Sequence, residues 1–392
     1  FSFFSWESEM KYLMFIVLIF SVLTAQFNWQ ENGVSLRQGA HIEWQRTGTV
    51  GENGEVILVW SDTRNGDRNV YAQKVDDSGQ NLWGDGGVAV VSEAGRQEDP
   101  LAISDGAGGA YIVWKDYRYE LDDGDVFVQH ILSDGSLDWA EEGIALSDVE
   151  GPQEFLNMCS DEIGGAFVIW IDRSTGSSIG GDVYATHLSL TGEIVDAGTG
   201  KAIITDGGDR GSISLETGGA GYANLVWSEG ADTDWKVLMG QRLDLECETL
   251  WSEPEEGGKL LISSSSGDIK APRVTHVGGD TAAIVWEDFR YNPVSPDVFL
   301  QFIDGDGNEL LNNGGIGICI NSGQQSVPRV KANDSTAYVV WEDFRNHFLW
   351  GDVYGQAVSI DGTILWEEDG KPISVALQKQ TEPRLVVDGN NG

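Results

Sequence analysis

Cysteine and histidine are scarce in this chain. Cys159, Cys247 and Cys319 stand far apart among 392 residues. Their odd number and wide spacing give neither a disulfide framework nor a paired zinc motif, so they read as small buried hydrophobes. Five histidines are scattered without metal-ligand spacing, and no metal site is assigned. There is no Gly-rich phosphate loop, nucleophile elbow or His-Glu-x-x-His segment, and no catalytic residue is assigned. Basic side chains are few as well: 24 Lys and Arg face 63 Asp and Glu, a net charge of −39. A surface of that sign repels phosphate backbones, which argues against a nucleic-acid partner. Helical periodicity is missing outside the first 25 residues.

The one long apolar run, Tyr12 to Phe20, follows Lys11 and leads into Ser21-Val22-Leu23-Thr24-Ala25. It is short for a membrane span and right for a signal-peptide core, with cleavage after Ala25. Glu7 and Glu9 carry the wrong charge for a signal's leading segment, which points to Met10 as the true start. The expected division is a signal peptide over 1–25 and one repeat domain over 26–392, with no transmembrane span in the mature chain. Export to the extracellular space or cell surface follows, with the periplasm as the alternative.

What the chain has in abundance is Trp, 15 residues, and Gly, 51 residues. Trp60, Trp114, Trp170, Trp227, Trp286 and Trp341 are spaced by 54, 56, 57, 59 and 55 residues. A period near 56 is the mark of a repeat architecture. Most of these tryptophans open a Trp-x-Asp-x-Arg motif: Trp60/Asp62/Arg64, Trp114/Asp116/Arg118, Trp286/Asp288/Arg290 and Trp341/Asp343/Arg345. The third unit keeps Trp170 and Asp172 but moves its arginine to Arg173, and the fourth degenerates to Trp227-Ser228-Glu229-Gly230.

Further on, five units carry a Val-Tyr-x-Gln type of element such as Asp125-Val126-Phe127-Val128-Gln129, the third without its Gln, then a glycine turn; most units follow with a second tryptophan (Trp83, Trp139, Trp251, Trp366) and a glycine. A Gln-x-x-Pro element (Gln97/Pro100, Gln325/Pro328, Gln380/Pro383) leads into the next unit. Strict alternation from Ala110 to Arg118 marks a strand with two different faces. Asp-Gly pairs are hairpin turns. Four strands per unit, A starting after the Pro, B ending in Trp-x-Asp-x-Arg, C holding Val-Tyr-x-Gln and D holding the second Trp, make the blade of an all-β propeller.

Six complete blades are visible. Trp29 precedes Trp60 by 31 residues, as Trp83 precedes Trp114, so the chain before blade one reads as a lone D strand. Pro383 to Gly389 reads as a new A strand. These are parts of a seventh blade, and the propeller is expected to be C-terminally truncated here. An eight-bladed ring, or six blades and a further module, are the alternatives.

The ordered set Trp-x-Asp-x-Arg, Asp-Val-Tyr-x-Gln, Asp-Gly and Trp resembles the repeats of secreted bacterial β-propeller proteins, of the kind exported by marine and gliding-type bacteria. The resemblance spans roughly residues 29–392, with blades three and four departing most, at Asp196 and Glu229. It implies fold and export and assigns no activity. The turns are also distantly similar to the Asp-box of sialidases. In Asp77-Ser78-Gly79-Gln80-Asn81-Leu82-Trp83 the glycine stands four residues before Trp rather than three, and such boxes are structural.

Asp and Arg that recur in blade after blade read as scaffold, since a catalytic site needs a few groups converging at one point. Specific binding belongs where the repeat breaks, in the loops of one face. The B–C loops offer Tyr119, Tyr291, and the run His347-Phe348-Leu349-Trp350 as ligand-binding candidates. Exposed aromatics beside Arg suit glycan rings or peptide side chains. The leading reading is an extracellular binding scaffold for a glycan or protein. A sialidase-like glycoside-processing enzyme and a structural adhesion or surface-layer segment are the alternatives. Asp304-Gly305-Asp306-Gly307-Asn308-Glu309 has the oxygen density of a calcium loop without EF-hand spacing; calcium is its second reading, an Asp-Gly turn its first.

Overall fold

The computed structural model describes residues 43–386 apart from 52, 120–122, 175–180, 206–209, 232–233, 252–257 and 264–266. The expected signal peptide and the strand around Trp29 lie outside the described residues.

Each repeat unit folds as four consecutive antiparallel strands. The first sheet is β1 (Glu43–Val50), β2 (Val56–Asn65), β3 (Asp67–Val75) and β4 (Val88–Val91). The second is β5 (Gln97–Ser104), β6 (Ala110–Asp116), β7 (Asp125–Ile131) and β8 (Ile144–Ser147). The third is β9 (Gln153–Ser160), β10 (Ala166–Asp172), β11 (Asp182–Leu188) and β12 (Lys201–Ile204). The fourth is β13 (Ser214–Thr217), β14 (Ala223–Ala231), β15 (Asp234–Leu243) and β16 (Lys259–Ser263). The fifth is β17 (Ile269–Gly278), β18 (Thr281–Asp288), β19 (Asp297–Ile303) and β20 (Ile316–Cys319). The sixth is β21 (Gln325–Asn333), β22 (Thr336–Asp343), β23 (Asp352–Ser359) and β24 (Lys371–Ser374).

The first strands gather around a common axis: β1 touches β5, β5 touches β9, and so on through β13 and β17 to β21. Across that axis, side chains of non-adjacent sheets meet, Lys331 with Glu216 and His276 with Glu162. The fold is a β-propeller. Among the described residues the apolar side chains form five clusters, and each lies between two consecutive blades. In β6 the period of two divides the burial: Ala110, Ile112 and Trp114 face blade one, whereas Tyr111 and Val113 face blade three. No helix among the described residues is long and apolar enough to cross a membrane.

The motifs explain the geometry. The strand-C glutamine clasps the link to the outer strand: Gln129 Nε2 donates to Ala140 O at 2.7 Å and its Oε1 accepts the Trp139 amide at 3.2 Å. Gln73, Gln241, Gln301 and Gln356 make the same clasp. The glycine after the second Trp lets the B-strand indole lie flat on the backbone; a Cβ on Gly143 would stand 2.7 Å from the Trp114 ring.

One strand assignment is corrected. The second tryptophan is not in the outer strand but in the link before it, just after a lone bridge such as Ile131↔Leu137. There it acts as a wedge on the next blade. Trp83 donates to Ser133 O at 3.2 Å and Trp251 to Gly305 O at 2.7 Å. The sixth blade differs: Trp366 is 37% exposed where Trp83 is 7%, and all four residues of β24 are exposed. Residues 383–386, expected as an inner strand, form none, and 387–389 lie outside the described residues.

Candidate functional site

The sixth blade's B–C loop is pinned at its base. Arg345 donates through Nε and Nη2 to the Asp343 carboxylate at 2.9 and 2.7 Å, and through Nη2 to Asp369 O at 2.7 Å. Asn346 Nδ2 donates to Asp352 Oδ2 at 2.9 Å and to the Tyr354 hydroxyl at 3.2 Å. Beyond this base the chain turns outward and three rings collect. His347 stacks on Trp350 with centroids 4.7 Å apart and on Phe348 at 5.3 Å, both nearly parallel. The Leu349 amide donates to His347 Nδ1 at 3.1 Å, which places the proton of the neutral ring on Nε2. Phe348 is 80% exposed and Trp350 48%.

The structure thus brings His347, Phe348 and Trp350 together. Tyr291 and Tyr119 are equally exposed but sit on the loops of blades five and two. Tyr291 leans on Phe299 with ring centroids 6.2 Å apart. Among the described residues neither tyrosine makes a ring contact with the trio.

The repeated Trp, Asp and Arg are turned inward on one another. Asp116 accepts the Trp114 indole at 2.8 Å, the Arg118 amide at 2.9 Å and its guanidinium at 2.6 Å. Arg118 also donates to Glu142 O at 2.8 Å and lies 4.1 Å over the Phe127 ring. Asp62, Asp288 and Asp343 repeat the pattern with Arg64, Arg290 and Arg345. Burial alone would raise the Asp62 pKa, but the bonds from Arg64 and Trp60 outweigh it and hold the carboxyl below its ordinary value. In blade four Glu229 takes the indole of Trp227 at 2.8 Å. In blade three the residue two after Asp172 is Ser174, and the Trp170 indole has no hydrogen-bond partner. These carboxylates are spent within the blade.

The third and fourth blades also leave a cavity of 370 Å³ between them, lined by Asn157, Ile171, Arg173, Gly181, Arg210 and Ile213 among others. Arg210 stands where other units have the Gln of Gln-x-x-Pro, and its Nη1 donates to Gly181 O at 2.8 Å. Burial lowers its pKa.

Asp297, directly opposite Asp288 in the ladder, is pushed up to about 6 by burial, with the charges of Asp288 and Asp369 adding to it. In the Asp304 loop, Oδ1 accepts the amides of Asp306 and Asn308 and Oδ2 the Asn308 side chain, so the loop satisfies its own oxygens. Asp76 organises its turn in the same way. Among the described residues no group of three or more His, Cys, Asp or Glu is arranged to hold a metal. The three cysteines are buried and unbridged.

One group lay beyond the reach of sequence reasoning. His130, next to the clasping Gln129, bonds Asp105 through Nε2 and Asp138 through Nδ1, both at 3.0 Å, and stacks on Tyr111 at 4.5 Å. His187 repeats the bond to Asp161 at 2.9 Å in blade three. The only signal was the Asp-x-x-Gly-Gly of both A–B turns.

No family model matches the chain, and a search of curated proteins found no match. Solved structures are similar in part. One is an alpha-L-arabinanase from Penicillium chrysogenum complexed with arabinobiose, 13% identical, TM-score 0.45, covering 85% of this chain and 98% of that one. A polysaccharide lyase is 11% identical, TM-score 0.47, over 81% of this chain and 77% of its own. An alpha-L-arabinofuranosidase from Fusarium graminearum is 10% identical, TM-score 0.39, over 85% and 95%. Similarities of this order leave the chemistry of the present chain to its own residues.

Proposed function

We propose that this propeller is an extracellular carbohydrate-binding module whose contact surface is the aromatic trio on the sixth blade. The observation that carries the reading is the exposed stack of His347, Phe348 and Trp350 on a loop whose base is fixed by Arg345 and Asn346. A flat ring already held in place stacks on the C–H face of a sugar with little further ordering, and the indole and imidazole N–H groups remain as donors for hydroxyls. Binding without turnover is the form this takes, because the repeated carboxylates are consumed by Trp and Arg of their own blade.

A glycan array followed by titration calorimetry tests it. Trp350→Ala and Phe348→Ala should each weaken binding about tenfold or more, a loss of roughly 1.4 kcal/mol. Their melting temperatures should stay near the parent's, since Phe348 is largely exposed and Trp350 half-exposed on a surface loop. Equal affinity of the variants, absence of any glycan ligand, or hydrolysis of the bound glycan overturns the proposal.

A further inference from the structure

The inner strands of the six blades are in a common register, so equivalent positions around the axis can be compared. Four residues after the blade-entry position stand Thr47, Leu101, Asn157 and Ser214 in the first four blades, then Arg273 and Arg329 in the fifth and sixth. Arg384 holds the same place relative to blade six. The Gln380 amide donates to Gly351 O at 2.9 Å as the Gln325 amide does to Pro296 O at 2.9 Å. The Glu382 amide donates to Glu342 Oε1 at 2.7 Å as the Val327 amide does to Glu287 Oε1 at 2.8 Å. Val327 and Glu382 even share a φ of 54° before their prolines. Three Pro-Arg pairs therefore stand side by side along one sector of the axis, and the remaining positions carry no charge.

These arginines lack the neutralisation found elsewhere. Among the described residues no carboxylate lies within 4.0 Å of any of the three guanidinium groups. Arg273 and Arg329 each donate only to the carbonyl of the preceding proline, at 2.7 and 3.2 Å. The carboxylates of Glu287, Glu342 and Glu382 offset part of the positive charge from a distance, but none is in ion-pair contact with a guanidinium group. Burial pushes Arg273 down to about 10, with the charges of Arg329 and Arg384 adding to the effect and that of Glu287 opposing it. In a chain of net charge −39, three arginines held together without ion pairs call for an external anion.

From this clustering we infer that the sector formed by Arg273, Arg329 and Arg384 is an oxyanion site, and that the glycan taken by this propeller carries carboxylate or sulfate groups. The second half of the inference rests on the proposed carbohydrate binding; the first half does not. Guanidinium groups pair bidentately with planar carboxylate and with sulfate, which gives both attraction and orientation. The aromatic trio and Arg329 belong to the same sixth blade, the trio on its B–C loop and Arg329 on its inner strand β21.

The test uses the full chain with Arg273→Gln and Arg329→Gln, alone and together. The probes are short oligogalacturonates, sulfated oligogalactans, the matched neutral oligogalactans, and inorganic sulfate. The expected result is that an acidic oligosaccharide binds at least about tenfold tighter than its neutral counterpart, with the advantage shrinking as salt rises. Each arginine variant should lose that advantage while keeping the neutral affinity, whereas Trp350→Ala lowers both. Carboxylate and sulfate probes show which anion is preferred. Without ligand, the variants should melt at or above the parent temperature because repulsion is relieved, and sulfate at matched ionic strength should stabilise the parent but not the double variant. Sulfate stabilisation without any oligosaccharide binding upholds the anion site and overturns the glycan reading. Equal affinity for neutral and acidic chains, or variants that melt lower and respond to sulfate like the parent, overturns the site.

Discussion

At the scale of single residues, the indole of the B strand is worth two separate things: packing and a hydrogen bond. Trp114 has both, since it is fully buried and donates to Asp116 at 2.8 Å, whereas Trp170 has the burial alone. Trp114→Ala should cost on the order of 3–5 kcal/mol through the cavity it leaves. Phenylalanine separates the two contributions. Trp114→Phe strips Asp116 of a donor and should cost about 1–2 kcal/mol more than Trp170→Phe, which discards an N–H already without a partner. Urea titrations of the two variants against the parent decide this; equal losses would mean the indole bond contributes nothing.

At the scale of the element, the second blade's A–B turn is braced from strand C by His130. Burial alone would lower the imidazole pKa, but the hydrogen bonds to Asp105 and Asp138 outweigh it and raise the value. Burial would raise Asp105, yet His130 and the amides of Ala107 and Gly109 bring it down. A raised histidine stabilises below its unfolded pKa, about 6.5, and loses the effect as pH climbs through the folded value. A lowered aspartate stabilises above about 3.9 and loses the effect as pH falls through its folded value. The brace is therefore complete from about pH 4 to 6.5. The melting-temperature gap between the parent and His130→Gln should be widest in that window and narrow on both sides. A gap that does not vary with pH would refute the charged brace. Tyr111 and Trp139 pack on the same imidazole, and Asp105 and Asp138 are its ionisable partners.

Elements also show what the amino-acid order disclosed and what it hid. The B and C strands were legible because Trp-x-Asp-x-Arg and Val-Tyr-x-Gln are long, alternating and repeated. The outer strands were not: Val88–Val91 and Ile144–Ser147 are four residues long and carry no motif, so the nearby tryptophan was taken for their marker. The exposed loop rings could be singled out because they interrupt the repeat. The arginine sector could not, because Pro-Arg recurs in only three units and its meaning depends on which strands lie side by side. Comparison of units by what they share conceals a property that only a few of them have.

At the scale of the molecule, stability is distributed along a row of blades, each buried by its neighbours. The exception is the sixth, whose outer strand is exposed throughout and whose Trp366 presses on no following turn among the described residues. Amide hydrogen exchange should find β23 and β24 opening sooner than β19 and β20, although the two pairs have the same register pattern. Equal protection of the two pairs would refute the weak sixth blade.

The wedge tryptophans give the row a direction. A side chain placed on Gly135 would come within 2.8 Å of Trp83, and one on Gly307 within 3.1 Å of Trp251. In each case an injury is inflicted on the blade before, in addition to the strain that a side chain at positive φ puts on the hairpin itself. Damage to a hairpin is thus read out upstream, like a roof on which each tile lies under the edge of its neighbour. The blade that loosens in a variant need not be the blade that was altered.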